Sequence, residues 1–271
     1  MDNRPIGVFD SGLGGLTVLK EIMEIMPGES IVYFGDSGRA PYGVKSKETV
    51  IKYTLQDIRF LLSHDIKMIV IACNTASACS LDTVRDRFNN MPVIEVIQPG
   101  ATMGVKQTKN KKIGVIGTIA TINSGVYERA INEIDKKMQV FSKACPLFVP
   151  LVEEGPEWWE NDITYRIALQ YLGPLKNTGV DTLILGCTHY PLLQKTISRV
   201  MGDDVEIVSS ALEVARVVKN VISKNNMAAG ENTGTVYKFY TSDVVEKFEP
   251  MCNAILKRRI NSIVRVDIEK Y

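Results

Sequence analysis

Short apolar runs recur along the chain, each closed by a turn signal and followed by a longer stretch with helical spacing. Pro5–Phe9 predicts a first strand, Asp10–Gly15 a loop and Leu16–Met26 a helix. Ser30–Gly35 predicts the next strand, with Asp36–Gly43 as the loop behind it. Within Lys47–His64, residues Val50, Ile51, Tyr53, Thr54, Ile58, Leu61 and Leu62 recur at three- and four-residue intervals, which marks one face of a helix. The strand Ile66–Cys73, a helix near Ala76–Asn89 and the strand Val93–Ile97 complete the series. Strands alternating with helices predict an α/β protein whose parallel sheet is covered on both faces.

The cycle then starts again. Lys112–Gly117 (Lys-Ile-Gly-Val-Ile-Gly) echoes Arg4–Asp10 (Arg-Pro-Ile-Gly-Val-Phe-Asp), and both run into loops of small and hydroxyl residues, Asp10-Ser11-Gly12 and Thr118–Thr121. Each half also carries a buried-type strand that ends in cysteine, Ile66–Cys73 and Val180–Cys187. The offset is 107 between Ile6 and Ile113 and 114 between Cys73 and Cys187. A divergent duplication accounts for both offsets; independent βα units that happen to look alike are the alternative. The polar, turn-rich stretches Gln98–Lys111 and Asp203–Ser210 read as crossings between halves. Beyond them the pattern predicts a helix over Ala211–Ser223, a loop over Lys224–Gly234, a strand over Val236–Thr241, a helix over Asp243–Leu256 and a strand over Ser262–Val266. This tail carries no chemical motif and is expected to complete one of two domains.

Composition narrows the function classes. Over 271 residues, 32 lysines and arginines nearly cancel 31 aspartates and glutamates, so no charge excess points to nucleic acid or a membrane surface. Apolar runs such as Met68–Cys73 fall far short of the roughly 20 residues a membrane-spanning helix needs. The N-terminus leads into a strand without an apolar signal region, and five cysteines without paired spacing suit a reducing compartment. A cytoplasmic protein is expected.

The candidate chemistry gathers at the strand ends, where open α/β sheets place their ligand sites. Free cysteine commonly packs as a small hydrophobe, and Cys79, Cys145 and Cys252 are read that way. Cys73 and Cys187 differ. Each ends a strand beside polar residues (Asn74 and Thr75; Thr188 and His189) and precedes an expected helix start, where free N–H groups favour negative charge. Two such thiols, one from each half, could face one substrate from opposite sides, as a cofactor-free racemase requires. One then takes a proton from carbon and the other returns one to the opposite face; tuned thiols can do both near neutral pH. Asp10 and His189 are the candidate tuners. Each has a plainer reading, Asp10 as a helix cap or Asx turn and His189 as an ordinary hydrogen-bonding residue. His64 is read as a helix-terminal residue without an active role.

Other chemistries fit less well. Gly12-Leu13-Gly14-Gly15-Leu16-Thr17 has threonine where a dinucleotide fingerprint wants glycine or alanine, and no Gly-Lys-Ser/Thr follows. Its glycines suit the approach of a small anion, such as a carboxylate, to backbone N–H groups. In Ser37–Gly43, Tyr42 could close over a ligand, or the segment is a surface turn. Cys187-Thr188-His189 does not complete a four-ligand metal set, and no lysine lies in the strand-end motifs to carry pyridoxal. No cofactor and no metal are expected.

Six ordered segments resemble the glutamate racemases of the aspartate/glutamate racemase superfamily: Ile6–Gly15, Tyr33–Gly43, Ala72–Ser77, Gly114–Thr121, Pro150–Gly155 and Gly186–Pro191. The resemblance implies a cofactor-independent interconversion of L- and D-glutamate, supplying D-glutamate for bacterial peptidoglycan. It implies two α/β domains of similar topology, 1–97 with 208–271 and 98–207, related by pseudo-symmetry with the site in the cleft between them. It makes Cys73 and Cys187 the acid/base thiols, assisted by Asp10, His189 and Glu153. It assigns substrate contacts to Asp10, Ser11, Tyr42, Gly43, Asn74, Thr75, Thr118, Thr121, Thr188 and His189. Glutamate is the expected partner, and a homodimer is expected. Some relatives carry an N-terminal extension linked to regulation by a wall precursor; this sequence opens almost at its first strand, so that regulation is not expected. Glu154–Asp162, with Trp158 and Trp159, matches no segment and is read as a surface or dimer contact. The competing readings are a sister racemase acting on aspartate or another small acid, and a thiol–disulfide or non-catalytic ligand-binding protein.

Overall fold

A computed structural model gives the fold, describing residues 1–230, 234–260 and 262–271. The first half runs β1 (Ile6–Asp10), α1 (Leu16–Ile25), β2 (Ile31–Gly35), α2 (Lys47–Leu62), β3 (Met68–Ile71), α3 (Asn74–Arg87), β4 (Val93–Glu95) and α4 (Ile97–Gln107). The second runs β5 (Lys112–Gly117), α5 (Ile119–Asn123), α6 (Val126–Ile134), β6 (Gln139–Ala144), α7 (Phe148–Glu153), α8 (Pro156–Trp159), α9 (Asp162–Lys176), β7 (Thr182–Gly186), α10 (Gln194–Met201) and β8 (Glu206–Ser209). The chain then adds α11 (Ala211–Lys224), β9 (Tyr237–Thr241), α12 (Val245–Leu256) and β10 (Ile263–Arg265).

Two wholly parallel sheets result, ordered β10-β9-β2-β1-β3-β4 and β6-β5-β7-β8. The first four strands of each half share one arrangement: the opening strand lies between the second and the third, and the fourth lies outside the third. Ile6 and Ile113 occupy equivalent places, as do the strands leading to Cys73 and Cys187. The tail adds β9 and β10 to the edge of the first sheet.

The strands form because β-branched runs such as Ile31-Val32 and Ile69-Val70-Ile71 suit a pleated surface buried on both sides. On one face of the first sheet Ile6, Val8 and Val70 join a core that continues into the second half; on the other, Phe9, Val32, Phe34, Ile69 and Ile71 pack under α2 and α3. In α1, Leu16, Leu19, Ile22 and Met23 make a buried stripe.

Two expectations fail here. Gln98–Lys111 is no polar crossing, since α4 occupies Ile97–Gln107. Its glycines serve contact: a Cβ at Gly104 would press into Ile184 of β7, so the helix lies close on the second sheet because that side chain is missing. Asp203–Ser210 likewise contains β8, an edge strand with Glu206 exposed and Val208 buried. Residues 231–233 of the expected loop Lys224–Gly234 lie outside the described residues. Trp158 and Trp159 are half-buried against the core, and Trp159 Nε1 donates to the Val152 carbonyl at 3.0 Å.

Candidate active site

The carboxyl ends of β1, β3, β5 and β7 point into one small cavity between the two sheets. Cys73 follows β3 and caps α3, its sulfur accepting the Ala76 N–H at 3.4 Å and its S–H donating to Ser11 Oγ at 3.4 Å. Cys187 follows β7, but a turn and a short 3-10 segment come before α10, so no α-helix starts behind it. Its sulfur lies 3.8 Å from His189 Nδ1, and His189 Nε2 lies 3.0 Å from Glu153 Oε1 at the rim. Both sulfurs line the same cavity, and all five cysteines are free, so the pair is not a cystine.

Asp10 ties the halves together. Its carboxyl accepts the Gly12 N–H at 2.9 Å and the Thr188 hydroxyl at 3.2 Å. Thr17 repeats the link, donating to the carbonyls of Gly14 and Thr188 at 2.9 and 3.2 Å. Opposite, Thr75 from the first half meets Thr118 at 2.9 Å, and Thr118 meets Thr121 at 3.0 Å. Gly43 lies against Thr118, and a Cβ there would come within 2.5 Å of the Thr118 Cβ. Tyr127 Oη takes one end of the Asn74 amide at 2.8 Å. The other end, Oδ1, is buried without a partner among the described residues.

Burial sets the charges. It pushes the Cys73 thiol up to about 12, and the nearby Asp10 charge adds to the effect. Burial also raises Asp10, against the opposing pull of His189. For His189 burial favours the neutral ring, but the hydrogen bonds to Cys187 and Glu153, with their charges, outweigh it and hold the imidazole well above its ordinary value. The arrangement is a protonated thiol on one wall and, on the other, a sulfur beside an imidazolium.

The cavity is nearly shut. At about 20 Å³ it has room for roughly one water, so admitting an amino acid requires its walls to move apart. A larger hollow of about 620 Å³ beside Met26 and Lys219 contains neither cysteine nor histidine, and chemistry rather than size selects the site. No group of three or more His, Cys, Asp or Glu suited to a metal ion occurs among the described residues.

Most of the residues named from sequence meet here: Ser11, Tyr42, Gly43, Cys73, Asn74, Thr75, Thr118, Glu153, Cys187, Thr188 and His189 all line the cavity. Asp10 and Thr121 stand one layer back, through Thr188 and Thr118. Tyr42 does not close over the cavity with its ring; its hydroxyl turns away to Asp36 and Asp57. His64 meets Phe60 edge-on and Tyr240 at a tilt, and it does not line the cavity. Sequence reading missed the roles of Tyr127 and Thr17, which hold Asn74 and Thr188 from the other half.

The sequence pattern of the family described as Asp/Glu/Hydantoin racemase matches residues 6–218. The chain belongs to this family. Within it, a glutamate racemase from Geobacter metallireducens is 44% identical over 266 residues, covering 98% of this chain and 97% of its own length. The crystal structure of a glutamate racemase isoform from Bacillus anthracis is 42% identical with a TM-score of 0.93, covering 98% of each chain. That of a glutamate racemase from Francisella tularensis, in complex with D-glutamate, is 37% identical with the same TM-score, covering 100% of each chain. The racemase family thus accounts for both sheets and the cleft between them.

Proposed function

We propose that this protein interconverts L- and D-glutamate with two thiols and no cofactor. The observation that carries the reading is that Cys73 and Cys187, from different sheets, border one enclosed cavity as free thiols. The full-length similarity to glutamate racemases supports glutamate over other acids.

In the closed form the imidazolium of His189 stabilises negative charge on Cys187, while Cys73 keeps its proton. The Cys187 thiolate takes the α-proton, and the Cys73 thiol delivers a proton to the other face of the same carbon. One proton enters and one leaves, so the product is the mirror image and the thiols have exchanged roles. The reverse enantiomer then meets the complementary state. Asp10, Glu153 and His189 assist; Ser11, Thr75, Thr118, Thr121, Thr188 and the Tyr42-Gly43 backbone are proposed to hold the carboxylates and ammonium. The unpartnered end of the Asn74 amide supports a ligand contact there.

The two-domain division 1–97 with 208–271 and 98–207 belongs to the same proposal. Strand membership supports it except at the second boundary, where β8, a strand of the second sheet, runs on to Ser209 and moves the crossing past it. No helix of the described residues is long and apolar enough to cross a membrane. The reading includes a cytoplasmic homodimer that feeds D-glutamate to peptidoglycan. Circular dichroism with each pure enantiomer tests the activity: both glutamate signals should decay to zero without added cofactor. Steady glutamate signals alongside decay of aspartate would transfer the assignment to the sister activity.

A further inference from the structure

Asp57 lies in α2, fully buried, and takes no part in lining the cavity. Polar side chains from three segments surround it. Arg39 Nη2 donates to Asp57 Oδ1 at 2.8 Å, and Arg39 Nε donates to Asp36 Oδ2 at 2.7 Å. Arg39 Nη1 donates to Gln56 at 2.6 Å, and the guanidinium lies over the Tyr53 ring. Glu269, 3.4 Å from Arg39, is largely in solvent, where its charge is screened. Ser242 donates to Asp36 Oδ1 at 2.7 Å. Tyr42 Oη sits between the two carboxyls, in hydrogen-bond contact with Asp36 and 2.9 Å from Asp57 Oδ2.

A proton count decides how these groups are charged. A phenol has one hydrogen to donate. Asp36 accepts from Arg39 and Ser242 and makes the closer contact with Tyr42, so it takes the phenolic hydrogen as a carboxylate. The contact between Tyr42 Oη and Asp57 then needs a hydrogen from Asp57. Charge agrees: two buried carboxylates beside one guanidinium would leave an excess negative charge out of water, whereas a neutral Asp57 leaves a matched pair. Burial, reinforced by the Asp36 charge, also drives Asp57 well above the usual carboxylate range, and Tyr42 is held well above its ordinary value by burial and the two carboxyls.

We infer that Asp57 is a positioning residue acting as the neutral acid, first donor in a chain Asp57 to Tyr42 to Asp36 that, with Arg39, fixes the loop walling the candidate site. That loop, Ala40–Gly43, lines the cavity and brings Gly43 against Thr118 of the other half. The tail shares in the work through Ser242 and through Thr241, whose hydroxyl meets that of Ser37 at 2.6 Å.

Infrared difference spectroscopy on the full-length protein at neutral pH reads the proton directly. A carboxylic-acid C=O band should be present in the wild type and missing in Asp57→Asn; absence of that difference band overturns the inference. The kinetic arm rests on the glutamate activity proposed above. Asp57→Asn, neutral and still a donor, should keep KM within about threefold, while Asp57→Ala should raise it about tenfold with a smaller change in kcat. Should Asp57→Ala fail to fold, Tyr42→Phe breaks the same chain and should raise KM similarly. Asn as damaging as Ala, or an unchanged KM in both Asp57→Ala and Tyr42→Phe, overturns the positioning role. A wild type inert toward glutamate would instead retire the activity and leave the infrared test standing.

Discussion

Replacing Gly43 with alanine tests whether closure of the two halves is part of the reaction. The backbone there suits any L residue, so the substitution adds only a methyl group. That methyl would lie 2.5 Å from Thr118 Cβ, 2.6 Å from Cγ2 and 3.0 Å from Oγ1, well inside ordinary contact. Thr118 cannot easily turn aside, because its hydroxyl is held by Thr75 and Thr121. Overpacking of this kind costs about 1–3 kcal/mol, and because Gly43 and Thr118 come from different halves the cost falls on the closed form alone. If free protein in solution stands open to admit glutamate and the Gly43–Thr118 contact re-forms around the bound substrate, KM rises about 5- to 150-fold. Initial rates of circular dichroism decay over a range of glutamate concentrations measure it. Gly28→Ala, where nothing lies within 4 Å, is the control and should leave KM unchanged. Wild-type KM in Gly43→Ala, or an equal loss in Gly28→Ala, would refute the closure argument.

Glu153→Gln should lower the pKa of His189, because a carboxylate that stabilises the imidazolium is lost. The chain has only two histidines, so proton NMR can follow each titration; a His189 midpoint unmoved in the variant contradicts the assignment. The raised His189 value also makes its stabilisation of the fold complete below the ordinary histidine pKa and lost as pH climbs through the folded-state value. Denaturant midpoints across that window should fall in the wild type and fall less in His189→Asn. Cys252, buried in the core away from the cavity, should behave as packing only. Cys252→Ala is expected to cost about 1 kcal/mol in a denaturation curve with kcat/KM unchanged, and loss of turnover at retained stability would contradict that role.

Much of the fold was legible because buried parallel strands leave little choice of residue: Met68–Ile71 and Thr182–Gly186 read as strands in any context. The site was legible where polar residues interrupt such runs, as at Cys73-Asn74-Thr75 and Cys187-Thr188-His189. What escaped did so for physical reasons. Pro99, Gly100 and Gly104 argue locally against a helix, yet α4 forms with its two glycines lying against Tyr127 and Ile184. β8 was hidden by its position, since a sheet-edge strand needs polar residues such as Glu206 on its open side. Tyr42 looked like a ligand-facing ring because sequence shows neighbours in the chain and not Asp57, fifteen positions away, which captures its hydroxyl. Tyr127 and Thr17 each reach a residue of the other half, a relation that spacing cannot express.

Hydrogen exchange by single-thiol variants goes to the heart of the mechanism. Cys73→Ala and Cys187→Ala are each incubated in D2O with pure L- or D-glutamate, and deuterium at the α-carbon is followed by mass spectrometry. Neither variant should racemise, and each should exchange only one enantiomer, opposite in the two variants, because the remaining sulfur reaches one face of the carbon. Exchange of the same enantiomer by both, or near-normal racemisation by either, would contradict a reaction carried by thiols on opposite walls.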